Sequence, residues 1–116
     1  MKKIINGKRY DTDVANTIVE VSNLGHGADS TRDFRWWEAT LYVTPRSHTF
    51  FIAGEGGPMS RFSQSTGQNS WSGGSDIIPL SQREALEWLE DNQRDISDDD
   101  FDTITHKYFS DLITEA

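Results

Sequence analysis

The spacing of apolar residues changes once along this chain, at Ser81, and that change constrains the possible folds more than any single motif does. Before it, the segment "FRWWEATLYVT" alternates apolar with mixed side chains at every second residue, which is typical of a strand with one covered face. After it, "SQREALEWLEDN" places apolar residues on one helical face and acidic residues on the opposite face. A run of strands followed by a run of helices predicts an α+β fold.

Turn signals divide the first part of the chain into strands. Asn6 and Gly7 suit a two-residue hairpin turn with positive φ at both positions. The segments "FRWWEATLYVT" and "HTFFIAG" are joined only by "PRSH" and are predicted to pair as antiparallel strands. We interpret "SQSTGQNSWSGGSD" as a long polar loop and "IIPLS" as a last short strand, with Pro79 at a sheet edge. The pattern predicts an antiparallel β-sheet of four to five strands.

Two C-terminal helices are predicted to pack on one face of that sheet. Ser81 and Glu84 have the spacing of a capping box, and Ser97 is placed to cap a second helix. The second helix carries an apolar stripe that is broader than a single contact requires. Its members are Phe101, Ile104, Tyr108, Phe109, Leu112 and Ile113.

Negative charge is concentrated in the last third of the chain. Residues 1–80 hold eight acidic and eight basic side chains, whereas residues 81–116 hold eleven acidic and three basic ones, which accounts for the whole net charge of −8. We expect a single domain, 1–116, with a β-rich sheet part, 1–80, and an acidic helical part, 81–116. No basic footprint is present, so direct nucleic-acid binding is not expected.

Composition also narrows the chemistry and the compartment. The chain has no cysteine, which excludes disulfides, zinc-thiolate sites and cysteine nucleophiles. The opening "MKKIING" has too few apolar residues for a signal peptide, and no apolar run approaches the roughly 18 residues of a membrane helix. We expect a soluble, cytoplasmic protein without a membrane partner.

The segment "FFIAGEGGPMS" resembles a phosphate loop only superficially. Met59 stands where a dinucleotide fingerprint needs its third glycine, and no Gly-Lys-Ser/Thr follows as a Walker loop requires. We interpret the glycines of Gly54–Gly57 as supplying positive φ and a close chain crossing where the strand leaves the sheet. The alternative is a backbone nest that contacts an anion or a partner, with Glu55 in the same segment as a candidate partner-binding residue. No cofactor is expected.

No catalytic or metal-binding set is predicted. The segment "DISDDDFD" lacks the glycine and glutamate that an EF-hand loop needs, and its acids suit the positive end of a helix dipole instead. His26, with Asp29 and Asp33 nearby in sequence, is the one conceivable catalytic histidine, but no serine stands in a nucleophile elbow to serve it. His106 is expected on the polar side of the second helix.

Two features suggest partner binding. Trp71 stands in "GQNSWSGGSD", where every other residue is small or polar, and tryptophan is enriched among interface hot spots. It folds back as a lid over the sheet in the alternative interpretation. The acidic stripe of the first helix is either a solvated face or a surface that imitates phosphates in the basic groove of a partner. Its members are Glu84, Glu87, Glu90 and Asp91.

Several segments together resemble a family of small bacterial and phage proteins carried on mobile elements. Such proteins share K-x-I-N-G-K-x-Y-D-T, L-Y-x-T…F-F-L…G-E-G-G and I-P-L-(S/T)-x-x-E-A-x-x-W. The matching segments here are Ile5 to Thr12, Leu41 to Thr44, Phe50 to Gly57 and Ile78 to Trp88. The resemblance implies an anti-defence role, with anti-CRISPR activity as the leading candidate, and it brings no catalytic residues. Residues 93–116 extend past the usual end of the family, and the loop Gly25 to Arg32 departs from its pattern.

Our leading hypothesis is therefore a non-enzymatic inhibitor that binds a host protein or ribonucleoprotein effector complex in the host cytoplasm. Its predicted partner-binding residues are Trp71, Glu55 and the acidic stripe. Two alternatives stay open: a small ligand-binding domain or enzyme that uses His26 and Gly54–Gly57, and a scaffold that forms a homodimer through the C-terminal helix.

Overall fold

The structure, a computed structural model, describes residues 1–116 throughout. Eight strands precede two α-helices, α1 and α2, and each helix is followed by one short 3-10 turn. The strands β1 to β8 are Lys2–Ile5, Lys8–Asp11, Asn16–Ser22, Trp37–Val43, Phe50–Gly56, Gln64–Gly67, Ser70–Ser72 and Gly74–Leu80. The helices α1 and α2 are Gln82–Asp91 and Asp98–Phe109, and the 3-10 turns are Gln93–Asp95 and Ser110–Leu112.

The central sheet has four antiparallel strands in the order β3-β4-β5-β8. Strands β4 and β5 pair along their whole length, from Trp37 opposite Gly56 to Val43 opposite Phe50. Strand β8 lies at one edge of the sheet and pairs only with β5. Pro79 is tolerated there because an edge strand has hydrogen-bonded neighbours on one side only. Two two-stranded hairpins, β1-β2 and β6-β7, stand apart from this sheet. The α+β prediction, with helices after strands, is confirmed.

Both helices cover the same face of the central sheet. The main core joins alternate residues of the sheet to the apolar faces of α1 and α2. Phe109 is fully buried there, with its ring 5.1 Å from that of Phe50. Ser81 caps α1 in a complete capping box with Glu84, and Ser97 caps α2 by accepting from the Asp100 amide. The two predicted helix starts are therefore confirmed.

The opposite face of the sheet is covered over only part of its length. The β1-β2 hairpin turns at Asn6 and Gly7, which have φ of 51° and 78°, as predicted. Tyr10 of this hairpin packs edge-on against Phe51 at 5.4 Å, and Tyr42 stacks on the same ring at 5.1 Å. The ends of β4 and β5 nearest Glu38 and Glu55 extend beyond this second small core.

The predicted loop over residues 63–76 is wrong in its main part. It contains the β6-β7 hairpin, which turns at Asn69 with φ of 60°, and the first residues of β8. The two short strands are almost wholly polar and exposed, so no alternation of apolar residues marks them in the sequence. Strand β8 is also longer than "IIPLS", because its first residues pair with the end of β5. Neither α-helix is long and apolar enough to cross a membrane.

Candidate functional site

The glycine-rich segment lies inside the sheet rather than beyond it. Gly54 and Gly56 belong to β5, and only Gly7 and Gly25 among the glycines have positive φ. The prediction of positive φ for Gly54–Gly57 is therefore wrong, while the predicted close crossing is present. A Cβ at Gly54 would lie 2.8 Å from the Cα of Ala39 in the neighbouring strand. Glycine is needed here because the chains approach too closely for a side chain.

The close approach of the two chain segments continues beyond the sheet, where the apolar side chains of Phe34 and Met59 are exposed to solvent. The Gly57 amide donates to the Trp36 carbonyl at 2.8 Å, and the Met59 amide donates to the Phe34 carbonyl at 2.8 Å. The backbones of Phe34 and Met59 are thereby joined, and their side chains are 63% and 69% exposed. Large apolar side chains clustered on a surface are a feature of binding sites. No sequence motif marked this pair.

A cavity of about 390 Å³ opens next to Met59, and we call it the apolar cavity because six of its eleven lining residues are apolar. It lies between the helix-covered face of the sheet, the chain after Met59, and the C-terminal end of α1. Its apolar walls are Trp37, Ala39, Ile52, Met59, Phe62 and Trp88. Its polar lining is Arg35, Ser60, Arg61, Asp91 and Asn92. A concave space that combines apolar walls with polar groups is a common form of binding site.

Arg35 is fixed at this cavity by Asp33. Its Nη2 donates to Asp33 Oδ2 at 2.9 Å and its Nε donates to Asp33 Oδ1 at 3.1 Å. These side-chain hydrogen bonds, with the bond from the Arg35 amide, hold the pKa of Asp33 well below its usual range. The pair is therefore charged at neutral pH, and each charge is compensated by the other.

Three members of the acidic stripe line a groove that adjoins the cavity. This acidic groove is lined by Arg61, Leu80, Glu84, Glu87, Trp88 and Asp91. Arg61, Trp88 and Asp91 also line the apolar cavity, so the two depressions are continuous along α1. Glu90 is exposed on the same helix but lies outside the groove lining. All four predicted acids of α1 are solvent-exposed.

The members of the acidic stripe differ in what they do within the fold. Glu84 accepts from the Ser81 amide at 2.9 Å, and this hydrogen bond lowers the pKa of Glu84 from its ordinary value. Glu87, Glu90 and Asp91 take part in none of the ion pairs of the protein. Their charges are thus available to a partner, whereas that of Glu84 also supports the start of α1.

The remaining predicted partner-binding residues lie elsewhere. Trp71 is on β7 and 59% exposed, so the lid interpretation is wrong. Glu55 lies on the other face of the sheet, directly opposite Glu38. Burial, then the charges of Glu55 and Glu20, raise the pKa of Glu38. The structure therefore brings Glu84, Glu87 and Asp91 together and separates Trp71 and Glu55 from them.

His26 has a structural partner that its sequence neighbours did not indicate. Its Nε2 lies 2.8 Å from Oδ1 of Asp95, in the 3-10 turn after α1, and 3.2 Å from the Ser22 carbonyl. Of the two aspartates near it in sequence, Asp33 is paired with Arg35 instead. The contact joins the loop after β3 to the helical part of the chain. His106 is exposed on α2, as predicted.

The other predicted features of the helical part also have a place in the fold. Asp98, Asp99 and Asp100 lie in the first turn of α2, where negative charge is favourable. No three side chains among the histidines, aspartates and glutamates converge as a metal site would need. The apolar stripe of α2 packs largely on the protein's own core, and Ile113 is 43% exposed at its end.

No protein-family model, curated protein or solved structure matches this chain. The resemblance to a mobile-element family and the activity that it implies stay predictions.

Proposed function

We propose that this protein is a non-enzymatic inhibitor that binds a host defence complex and blocks it by covering a basic surface. The observation that carries the proposal is the acidic stripe on α1, which adjoins the apolar cavity and whose Glu87, Glu90 and Asp91 form no ion pair. A CRISPR effector is the target class that the family resemblance implies. Such effectors hold nucleic acid in positively charged channels, which offer a surface of the opposite sign.

Charge and apolar area have different tasks in this proposal. The net charge of −8 steers the protein towards a basic surface and away from free nucleic acid. Phe34, Met59 and the cavity beside them supply apolar contact once the two surfaces meet. Trp71 offers a second, separate contact of the hot-spot type. The proposed place of action is the host cytoplasm, where the effector is assembled.

The test is capture of a CRISPR effector by the tagged protein from a lysate that contains it. We expect capture to weaken with added salt, because exposed charges are screened. The variant Glu87→Lys/Asp91→Lys should lose the effector, since it turns two attractive charges into repulsive ones. The matched control, Asp13→Lys/Glu115→Lys, makes the same change of charge at exposed positions outside the groove.

Two results would overturn the proposal. The first is equal capture by the groove variant and its control. The second is a ligand-binding or enzymatic activity of the protein that is lost in His26→Ala and kept in Glu87→Lys/Asp91→Lys. That result would favour the rival function. Because His26 and Asp95 both lie outside the cavity and groove linings, the two hypotheses predict opposite results.

A further inference from the structure

We infer that the apolar cavity and the acidic groove together bind one peptide segment of the partner, with a large apolar side chain as anchor and arginine or lysine about three residues away. This inference rests on the proposed function in that the protein acts by binding, but it does not require that the partner be a CRISPR effector.

The size and walls of the cavity favour a single side chain as its occupant. Its volume of about 390 Å³ lies near the lower end of the range of roughly 300–1,000 Å³ for ligand sites. Trp37, Phe62 and Trp88 contribute aromatic walls. Met59 also lines the cavity and is 69% exposed, and its flexible thioether side chain adapts to different apolar shapes. An aromatic or large aliphatic side chain fits these conditions.

The charges beside the cavity select the neighbours of that anchor. The groove holds three carboxylates, those of Glu84, Glu87 and Asp91, against the one guanidinium of Arg61. The other cavity arginine, Arg35, is already compensated by Asp33. An excess of negative charge therefore runs from the cavity along α1. A basic segment is favoured there, and an acidic segment or a phosphate is repelled.

Helix geometry sets the distance between the two parts of the motif. Asp91 touches both depressions, and Glu84 lies seven positions earlier on α1. At about 1.5 Å per residue, the groove runs roughly 10 Å from the cavity. An extended peptide covers that distance in about three residues, at roughly 3.3 Å each. Arginines two and three residues from the anchor would therefore reach Glu87 and Glu84.

The experiment titrates the whole protein with three acetylated heptapeptides and follows its amide signals by NMR. The test peptide has a central tryptophan, a glycine on each side of it and two arginines at each end, so that either chain direction is allowed. In the second peptide glycine replaces tryptophan, and in the third glutamate replaces every arginine. We expect the test peptide to shift the amide signals of Met59, Arg61, Asp91 and Asn92.

The inference predicts differences in peptide affinity that a titration can measure. The glycine and glutamate peptides should each bind at least about tenfold more weakly than the test peptide. Glu87→Lys/Asp91→Lys should weaken the test peptide by at least about tenfold, and the control Asp13→Lys/Glu115→Lys by less than about twofold. Met59→Ala should weaken it further than Ile4→Ala, which truncates an equally exposed side chain on the β1-β2 hairpin.

Three outcomes would overturn the inference: no binding of the test peptide, equal binding of the tryptophan and glycine peptides, or shifts confined to the sheet face around Glu38 and Glu55. The proposed function is tested separately. If the peptides bind as expected but no effector is captured, the proposed function fails and this inference stands. If an effector is captured equally by the groove variant while the peptides bind as expected, the proposed role of the stripe in effector binding fails and this inference stands.

Discussion

The substitution Gly54→Ala tests whether the glycine-rich segment is a packing feature of the sheet. A Cβ at this position would lie 2.8 Å from both the Cα and the Cβ of Ala39, and closer still to the Glu38 carbonyl oxygen. Ala39 is opposite Gly54 in the central pair of strands and only 2% exposed, so the backbone of β4 would have to move. Overpacking of this kind costs about 1–3 kcal/mol.

The expected net loss of unfolding free energy is about 2 kcal/mol. It combines the upper part of the overpacking range with the roughly 0.4–1 kcal/mol by which alanine reduces the entropy of the unfolded chain. For a domain of this length the loss corresponds to a Tm about 6–12 °C lower. Urea unfolding followed by tryptophan fluorescence measures the free energy, provided the m-value is unchanged, and thermal unfolding followed by circular dichroism measures the Tm.

Gly67→Ala is the matched control, because a Cβ at Gly67 meets nothing within 4 Å. It should leave stability unchanged or raise it by up to about 1 kcal/mol. Unfolding of the two variants at the same urea concentration would contradict this packing role for Gly54. That result would mean that strands β4 and β5 separate at little cost at this point, and that the glycine serves another purpose.

Three further predictions concern caps and charges. Ser81→Ala removes one half of the capping box of α1 and should cost about 1 kcal/mol of unfolding free energy, measured by urea unfolding. Burial and the facing Glu55 raise the pKa of Glu38, so the folded protein holds the carboxyl proton of Glu38 more tightly than the unfolded chain does. The free energy of unfolding therefore falls as the pH rises through the pKa of Glu38. Glu38→Gln should therefore unfold at higher urea than the wild type at pH 7, by about 0.2–1 kcal/mol, with a smaller difference at pH 4. His26→Ala removes the partly exposed contact with Asp95 and should lower the free energy of unfolding by no more than about 1 kcal/mol, without weakening the binding of the test peptide.

Each of these predictions has a result that contradicts it. Ser81→Thr keeps a hydroxyl cap, so equal loss in Ser81→Ala and Ser81→Thr would show that the hydroxyl is not what matters. A Glu38→Gln advantage that is the same at pH 4 and pH 7 would mean that charge is not its cause. A large loss of stability or of peptide binding in His26→Ala would place that side chain in a more important role than the contact indicates.

Local features of the sequence predicted the elements whose causes are themselves local. The turn at Asn6 and Gly7 follows from the φ values that these residues tolerate. The N-caps and apolar faces of the helices follow from spacings of three and four residues. The β6-β7 hairpin was missed because its strands bury little on either face. Without burial there is no alternation to detect.

The sequence by itself determined the succession of strands and then helices, the buried faces of the helices and the acidic character of α1, because periodicity and capping act between near neighbours. Only the tertiary structure decided that Met59 and Arg61 lie beside Trp88, and that His26 meets Asp95. These pairs come from segments far apart in the chain, and no local spacing encodes their approach. The cavity and the groove therefore exist only once the sheet, its glycine crossing and α1 have packed together.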